Sequence, residues 1–220
     1  MNKKRVLIVG AGFGGTKAAL ELADDSRFEI TVLSDAVEFR YYPTLYHTAT
    51  GGHRANSSIA LAQIFEDKPI KLVQGRAKTL DRKAKTITSE EGQVYEFDSL
   101  IIGLGVVTNY FGIPGLADYS YSIKSQSEVA RFKAHLHQQL IDERRPDMHY
   151  VIVGAGPTGI ELAGALPGYL KHIMKNHGVK ARKVHVDLIE AAPRLLPRMT
   201  KMTSSRVKHR LKKLGIRLYI

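Results

Sequence analysis

The chain has 220 residues, of which 25% are charged, and this is enough for one large or two modest domains. It contains no cysteine, which excludes redox disulfides, thiolate metal sites and cysteine nucleophiles from these residues. The formal net charge is +12, and the whole excess lies in residues 171–220, which carry 14 Lys and Arg against 2 Asp and Glu.

The first elements along the chain predict the start of a Rossmann fold. The apolar run over residues 4–10 is typical of a buried strand, and residues 13–24 carry alanine and leucine at helical spacing. Residues 28–34 alternate between apolar and polar side chains and are bounded by turn residues, which predicts a second strand.

A glycine-rich sequence joins the first strand to the helix, and it reads Gly10-Ala11-Gly12-Phe13-Gly14-Gly15. Gly10 permits a tight turn, Gly12 lets a phosphate approach the backbone, and Gly15 allows close packing of helix on strand. Between a strand and a helix, this GxGxxG pattern indicates a dinucleotide site at the helix N-terminus.

Such sites usually place an acidic residue at the end of the second strand, where it binds a ribose. Here that strand ends at Leu33-Ser34-Asp35. Either the Ser34 hydroxyl binds the ribose or the Asp35 carboxylate reaches in from the next position. The sequence favours Asp35 slightly and leaves both alternatives open.

The middle of the chain changes character. Short alternating runs separated by polar turns predict a β-meander over residues 70–98, inserted into the first unit. The near-continuous apolar run over 100–105 is typical of a strand buried on both faces. Residues 124–143 show apolar side chains on one helical face and predict an amphipathic helix.

A second unit repeats the first. A strand over 149–154 leads into Gly154-Ala155-Gly156-Pro157-Thr158-Gly159 and then into a helix that starts at Pro157, a favoured early position for proline. Pro167-Gly168 is expected to kink or break that helix. Residues 183–190 form the next predicted strand.

Two GxGxxG loops 144 residues apart indicate that one protein binds two dinucleotides, and electron transfer between them is the obvious use. Glu190 ends the second strand of the second unit. A carboxylate there binds ribose hydroxyls and repels a 2′-phosphate, which favours NADH over NADPH. Arg194 is the complication, since a nearby arginine can accommodate that phosphate. The alternative for Glu190 is an ordinary surface residue at a strand end.

Glu161 lies on the second helix just after the glycine loop, among apolar and small residues. Burying a carboxylate there costs free energy unless it is paired or protonated. It is either a helix-stabilising carboxylate near the helix N-terminus or a residue at the meeting point of the two dinucleotides.

The basic end contains a predicted helix near residues 201–214, with Met202, Leu211 and Leu214 opposite its basic side chains. We interpret it as a packing helix of the second domain rather than a membrane anchor. Charge runs are usually solvated faces, although a basic face also suits anionic lipid, nucleic acid or an acidic partner. No segment has the roughly 18 apolar residues that a membrane-spanning helix needs.

A family resemblance is carried along the whole chain by residues 9–15, 42–46, 49–51, 95–100, 104–115, 154–164 and 189–197. On these residues the chain resembles the pyridine nucleotide–disulfide reductase-like flavoproteins, and within them the type II NADH:quinone oxidoreductases. The expected fold is α/β, with two Rossmann-like domains that have parallel sheets and an inserted β-meander.

The resemblance implies FAD at the first loop and NADH at the second, with the NADH domain inserted between two halves of the FAD domain. The expected domains are therefore 1–117 for FAD and 118–220 for NADH. In addition to the first loop, the implied FAD contacts are Pro43, Thr50, Ala77, Leu104 and Gly105. Glu161 matches the family position where nicotinamide stacks on flavin. Ser34 departs from the acid that the family usually has there.

The resemblance also implies a non-proton-pumping NADH dehydrogenase of the respiratory chain. We expect the second FAD segment, the quinone-site helix and an amphipathic anchor to lie beyond Ile220, so that this soluble piece is inactive. The full protein is expected to be a homodimer, peripheral on the cytoplasmic face of the cell membrane. Its expected partners are quinone and an anionic membrane surface, with no nucleic acid.

Two other functions stay open. One keeps the fold and replaces quinone with ferredoxin, rubredoxin or oxygen as the acceptor. The other is a non-catalytic NAD(H)-responsive module, similar to apoptosis-inducing-factor proteins, whose basic surface binds nucleic acid or a partner. The absence of cysteine argues against disulfide reductases and weakens a sulfide:quinone reductase.

Overall fold

A computed structural model describes residues 3–144, 149–180 and 184–220 of the chain. The chain forms two compact units: residues up to 41 with 58–109, and residues 42–57 with 110–220. These boundaries differ from the predicted division at residue 117. That division concerns which cofactor each part binds, which compactness does not test, so it stays a prediction.

The described strands are β1 (Lys4–Val9), β2 (Phe28–Ser34), β3 (Glu38–Arg40), β4 (Ser58–Ala60), β5 (Ile70–Gln74), β6 (Ala77–Asp81), β7 (Thr86–Ser89), β8 (Val94–Glu96), β9 (Ser99–Ile102), β10 (His149–Val153), β11 (His185–Ile189) and β12 (Arg217–Tyr219). The described α-helices are α1 (Phe13–Ala23), α2 (Leu45–Ala49), α3 (Leu61–Ile64), α4 (Leu116–Tyr119), α5 (Gln126–His137), α6 (Pro157–Asn176) and α7 (Lys201–Lys213).

The first unit contains a four-stranded parallel sheet in the order β5-β2-β1-β9. Its central strand β1 is buried on both faces from Val6 to Val9, which explains its continuous apolar run. On one face, Ile8 and Ile30 pack with Ala19 of α1. The predicted strand–helix–strand start is confirmed to within a residue at each end.

The meander is shorter than predicted. Strand β5 pairs in parallel with β2, so residues 70–74 belong to the main sheet and not to the meander. The antiparallel sheet β6-β7-β8 spans residues 77–96. Both kinds of strand are short and half-buried, and a five-residue alternating run does not distinguish them. The meander packs on the sheet through Ile87, which joins Leu7 and Leu33 in one apolar cluster.

The second unit contains a parallel sheet in the order β10-β11-β12. One face of this sheet packs on α6 and α7, where Leu188 of β11, Leu170 of α6 and Leu211 of α7 share one core. Residues 42–57 also pack in this unit, since Leu45 and Ala49 of α2 contact Val129 of α5. The predicted α/β class, with parallel sheets and an inserted meander, is confirmed.

Helix α6 continues through Pro167, so the predicted kink or break is not found as an interruption of the helix. A proline inside a helix removes one backbone hydrogen bond and costs about 3 kcal/mol. Here Leu166, Leu170 and Ile173 bury the same helix in the core, and this packing outweighs the local cost. The predicted helix over 124–143 is α5 followed by a π-helical turn, Gln138–Asp142.

Helix α7 packs on the core through only part of the predicted stripe, since Leu211 is buried and the other two residues of that stripe are exposed. Ser204 and Leu211 are buried, whereas Met202 is 61% and Leu214 is 42% exposed. The buried positions agree with a packing helix. Strand β11 begins at His185, and residue 183 of the predicted strand lies outside the described residues. Within the described ranges, no helix combines the length and the apolar character needed to cross a bilayer.

Candidate functional site

The first glycine loop follows β1 and opens α1. Gly10 has φ +96°, which side chains rarely adopt, and a Cβ there would lie 2.3 Å from the carbonyl oxygen of Gly103. A Cβ at Gly15 would lie 1.8 Å from the carbonyl oxygen of Gly10. Both glycines are therefore required by the packing of this loop itself.

Gly12 and Gly14 have a different reason to be glycine. A Cβ at either position would meet no described atom within 4 Å. Gly12 is also the N-cap of α1 and provides no side-chain cap to the first helical N–H groups. The loop thus leaves an open space in front of uncapped donors at the positive end of a helix. That space suits a phosphate group.

The second loop repeats this geometry between β10 and α6. Gly154 has φ +100°, and a Cβ at Gly159 would lie 2.0 Å from the carbonyl oxygen of Gly154. Gly156 is the N-cap without a side chain, and a Cβ there would meet nothing within 4 Å. Pro157 opens the helix at a position where no backbone N–H is needed. Each unit therefore has its own candidate phosphate cradle.

Backbone hydrogen bonds show which residues are equivalent at the two strand ends. The Gly10 N–H donates to the Leu33 carbonyl at 2.8 Å, and the Gly154 N–H donates to the Ile189 carbonyl at 2.8 Å. The next residues, Ser34 and Glu190, consequently occupy the same place in the two units. This is the place where a ribose-binding acid is expected.

In the first unit this place is closed by a local turn. The Ser34 side chain is buried, and its hydroxyl donates to the Ala36 carbonyl at 2.9 Å and accepts from the Ala36 N–H at 3.2 Å. The Asp35 side chain is 60% exposed and lies 3.9 Å from the Arg40 guanidinium. This geometry favours Asp35 as the group that reaches a ligand, and its role stays a prediction.

In the second unit the Glu190 carboxylate joins the strand end to the glycine loop. One oxygen accepts from the Ala155 N–H at 2.7 Å, and the other accepts from the Ala192 N–H at 2.8 Å. Both bonds fix the orientation of the carboxylate beside the loop, as expected for a residue that recognises a ligand there. The Arg194 guanidinium instead donates to carbonyls of its own segment, including Met199 at 2.8 Å.

Two aromatic rings contact Phe13 at the start of α1. Phe13 is 47% exposed, and its ring lies 4.9 Å from that of Phe39 and 5.8 Å from that of Tyr41, centroid to centroid. The sequence pattern did not predict the Phe39 contact, because β3 is only three residues long. Gly103 was also missed as a loop neighbour, although a glycine that ends the apolar run of β9 was a usable signal.

Glu161 lies on the exposed side of α6, one residue after Ile160, in the second turn of the helix. Partial desolvation raises the pKa of its carboxyl above the ordinary value of 4.5. Its carboxylate forms no hydrogen bond or ion pair with other described residues. Its equivalent in the first unit is Lys17, which pairs with Glu21 along α1.

The remaining predicted contacts lie in both units. Ala77 begins β6, Leu104 is 72% exposed after β9, and Gly105 has φ +76°, all in the first unit. Pro43 lies in a 3-10 turn and Thr50 caps α2, where its hydroxyl donates to the Tyr46 carbonyl at 2.9 Å; these belong to the second unit. Their roles as FAD contacts stay predictions.

A groove of about 320 Å³ lies elsewhere, between the meander and the parallel sheet. It is lined by Arg5, Glu29 and Lys71 near the amino ends of their strands. Ligands of open α/β sheets bind at the carboxyl ends, where both glycine loops are. We therefore do not assign this groove to a dinucleotide.

Comparison with known proteins finds a matching family and relatives that share most of this chain's length. The family model described as "Pyridine nucleotide-disulphide oxidoreductase" matches residues 4–220. A type II NADH:quinone oxidoreductase of Staphylococcus aureus (strain NCTC 8325 / PS 47) is 28% identical over 207 residues, which cover 89% of this chain and 51% of that protein. The chain spans about half the length of the curated relatives that it matches.

Solved structures show the same fold. NDH2 of Plasmodium falciparum in complex with NADH has a TM-score of 0.86 at 23% identity, covering 99% of this chain and 48% of that one. The sulfide:quinone oxidoreductase of Aquifex aeolicus has a TM-score of 0.77 at 23% identity, covering 98% and 50%. Since enzymes with different substrates share this fold, the fold alone does not select a reaction.

Proposed function

The chain belongs to the pyridine nucleotide-disulphide oxidoreductase family, and we propose that the whole protein is an FAD-dependent NADH:quinone oxidoreductase that does not pump protons. The observation that carries this proposal is the pair of equivalent strand–loop–helix units, each with an open glycine cradle. The named Staphylococcus aureus relative supports quinone as the acceptor.

FAD is proposed at the first loop. An added Cβ at Gly12 or Gly14 would meet nothing within 4 Å, so the loop backbone is open to the approach of a pyrophosphate on that side. The residues proposed to hold FAD are Gly10, Gly12, Phe13, Gly14, Gly15, Ser34 or Asp35, Pro43, Thr50, Ala77, Leu104 and Gly105. The exposed Phe13 ring is proposed to pack on the bound group.

NADH is proposed at the second loop, which comprises Gly154, Gly156, Pro157, Thr158 and Gly159, with Glu190 on the adenosine ribose. The Glu190 carboxylate is oriented by two backbone N–H groups and would repel a 2′-phosphate. The Arg194 guanidinium already donates to backbone carbonyls of its own segment, and these hydrogen bonds compete with the binding of a 2′-phosphate. Both features support NADH over NADPH.

Held by the residues named above, FAD would supply the acceptor for the hydride of NADH and would pass the two electrons on to quinone. The chain itself binds, orients and shields these groups, and none of these tasks needs a protein nucleophile. Glu161 is proposed to lie where the nicotinamide meets the flavin. Partial desolvation of its carboxyl, which raises the pKa, supports a role in proton exchange near that ring.

For the whole protein we propose a homodimer that is peripheral at the cytoplasmic face of the cell membrane, where it meets quinone. An anionic membrane surface is its proposed partner, and nucleic acid is not. Helix α7 buries Ser204 and Leu211 against the core, which supports a packing helix rather than an anchor.

The experiment is a flavin-reduction assay. The purified full-length protein is expected to show the visible absorption of oxidised flavin, to lose it on addition of NADH under nitrogen, and to regain it on addition of a quinone. Ferredoxin, rubredoxin and oxygen are tested as acceptors in parallel. Flavin that NADH does not reduce would contradict the proposal. Tight, salt-sensitive binding of DNA to residues 171–220 would instead favour the binding module.

A further inference from the structure

The segment that follows β11, residues 190–199, lies against the second glycine loop and has an unusual backbone. Leu196 has φ +47°, in the left-handed region that residues other than glycine rarely adopt. Its N–H donates to the Ala155 carbonyl at 3.0 Å, and its carbonyl accepts from the Met199 N–H at 2.9 Å. Such a conformation persists only where surrounding contacts fix it.

Arg194 supplies several of those contacts. Its guanidinium donates to the Met199 carbonyl at 2.8 Å, to the Leu196 carbonyl at 3.4 Å and to the Pro197 carbonyl. The neighbouring Leu195 is 1% exposed and anchors the segment in the core. A planar guanidinium binds several acceptors at once with little loss of freedom, which a lysine ammonium does not reproduce.

The first unit does not need such a segment. There the Ala11 carbonyl accepts the Thr16 hydroxyl at 3.0 Å, within the loop and its own helix. Ile160 takes the place of Thr16 in the second unit and has no hydroxyl. The equivalent Ala155 carbonyl is bound by the Leu196 N–H instead. The second loop therefore depends on residues 190–199 for a contact that the first loop makes by itself.

We propose that Arg194 is a positioning residue of the second dinucleotide site. It holds residues 190–199 in the conformation that binds Ala155 and orients Glu190, and it is not a ligand of a 2′-phosphate. This inference rests on the proposal that the second loop binds NADH. It answers the ambiguity that an arginine near a ribose-binding acid creates in the sequence.

The test is nucleotide binding to the purified full-length protein in its flavin-free form, measured by isothermal titration calorimetry with NADH and with NADPH. The variants are Arg194→Met and Arg194→Lys. The matched control is Arg198→Met, since Arg198 is exposed in the same segment and forms no hydrogen bond or ion pair within the described residues. Circular dichroism and thermal unfolding check that each variant is folded.

We expect Arg194→Met to raise the Kd of NADH about tenfold, because the bound conformation of the segment must then be ordered at the expense of binding free energy. Arg194→Lys is expected to lose most of the same affinity, and Arg198→Met to lose none. The NADPH affinity should fall by no larger factor than that of NADH. Hydrogen exchange of the Leu196 amide should accelerate in Arg194→Met while that of the β11 amides is unchanged.

Three results would overturn the inference. A selective loss of NADPH binding in Arg194→Met, with full retention in Arg194→Lys, would make Arg194 a phosphate ligand. Equal NADH affinities of the Arg194 and Arg198 variants would remove the positioning role and leave the proposed function intact. A wild-type chain that binds neither nucleotide would overturn the NADH proposal itself and this inference with it. If Arg194→Met does not fold, Arg194→Lys decides.

Discussion

The two glycine loops have the same backbone and different neighbours. Both start with a glycine at φ close to +100° and end with a glycine whose Cβ would lie within 2.0 Å of the first glycine's carbonyl oxygen. In the first unit, Gly103 closes over Gly10, whereas Gly154 has no described atom within 4 Å of an added Cβ. The shared glycine backbone is the feature that a pyrophosphate requires. The neighbours, such as Gly103 in the first unit, differ and give each unit its own stability and selectivity.

The last glycine of each loop should be indispensable in both units. Gly15→Ala and Gly159→Ala each place a Cβ 2.0 Å or less from a backbone oxygen, which cannot move aside like a side chain. We expect each to lower the free energy of unfolding by at least about 4 kcal/mol, measured by urea denaturation. The controls are Gly14→Ala and Gly168→Ala, which face open space and should be neutral or slightly stabilising. A tolerated Gly159→Ala would break the equivalence of the two loops.

The first glycine of each loop should separate the two units. Gly154→Ala meets only the cost of a positive φ, about 1 to 2 kcal/mol. Gly10→Ala meets that cost and a contact of 2.3 Å with the Gly103 oxygen, so we expect an additional loss of about 2 kcal/mol. Urea denaturation of both variants measures the difference. Equal losses would mean that Gly103 yields easily and that the crowding is unimportant.

The strand-end residues should differ in selectivity. Glu190→Gln keeps the shape of the side chain and removes the charge that repels a 2′-phosphate. The preference for NADH over NADPH should fall by about tenfold, or about 1.4 kcal/mol, in calorimetric titrations. Ser34→Ala is the counterpart in the first unit and should leave this preference unchanged. An unaltered preference in Glu190→Gln would remove Glu190 from ribose recognition.

The smallest effect on stability is expected at Glu161. Its equivalent in α1 is Lys17. Because desolvation raises the folded pKa of Glu161, the unfolded chain ionises first as the pH rises past 4.5. The folded state then holds more protons, and stability falls between 4.5 and the raised pKa. Glu161→Gln should match the wild type at about pH 4 and exceed its unfolding free energy by a few tenths of a kcal/mol at about pH 8, since the group is exposed and solvent screens it.

The parts of the fold that could be predicted are those formed by residues close together along the chain. The loops, their flanking strands and helices, and the places of Ser34 and Glu190 follow from spacing within about 30 residues. Strand β5 was assigned to the wrong sheet, because its partner β2 is distant along the chain and its own alternation suits either sheet. The predicted alternative of a break at Pro167 was wrong for a similar reason, since buried neighbours rather than its own turn keep α6 continuous there.

The support of each loop could not be predicted in the same way. Gly103 approaches Gly10 from β9, more than 90 residues along the chain. Arg194 donates to carbonyls of a segment whose shape depends on the left-handed conformation of Leu196. No residue pattern in the sequence predicts that conformation. The GxGxxG motif therefore predicts the position of each loop, whereas the residues that support the loop are found only from the tertiary structure.

The central claim is that the two cradles bind two different dinucleotides, and crossed variants of the open glycines test it most directly. Gly12→Ala and Gly156→Ala each place a methyl group only where the ligand would lie, so the stability of the chain should be unchanged. FAD and NADH are titrated by calorimetry into the flavin-free full-length protein and into both variants of it. The account predicts at least about tenfold weaker FAD binding in Gly12→Ala with NADH binding retained, and the reverse in Gly156→Ala. Loss of both ligands in a single variant, or of neither in either variant, would contradict it.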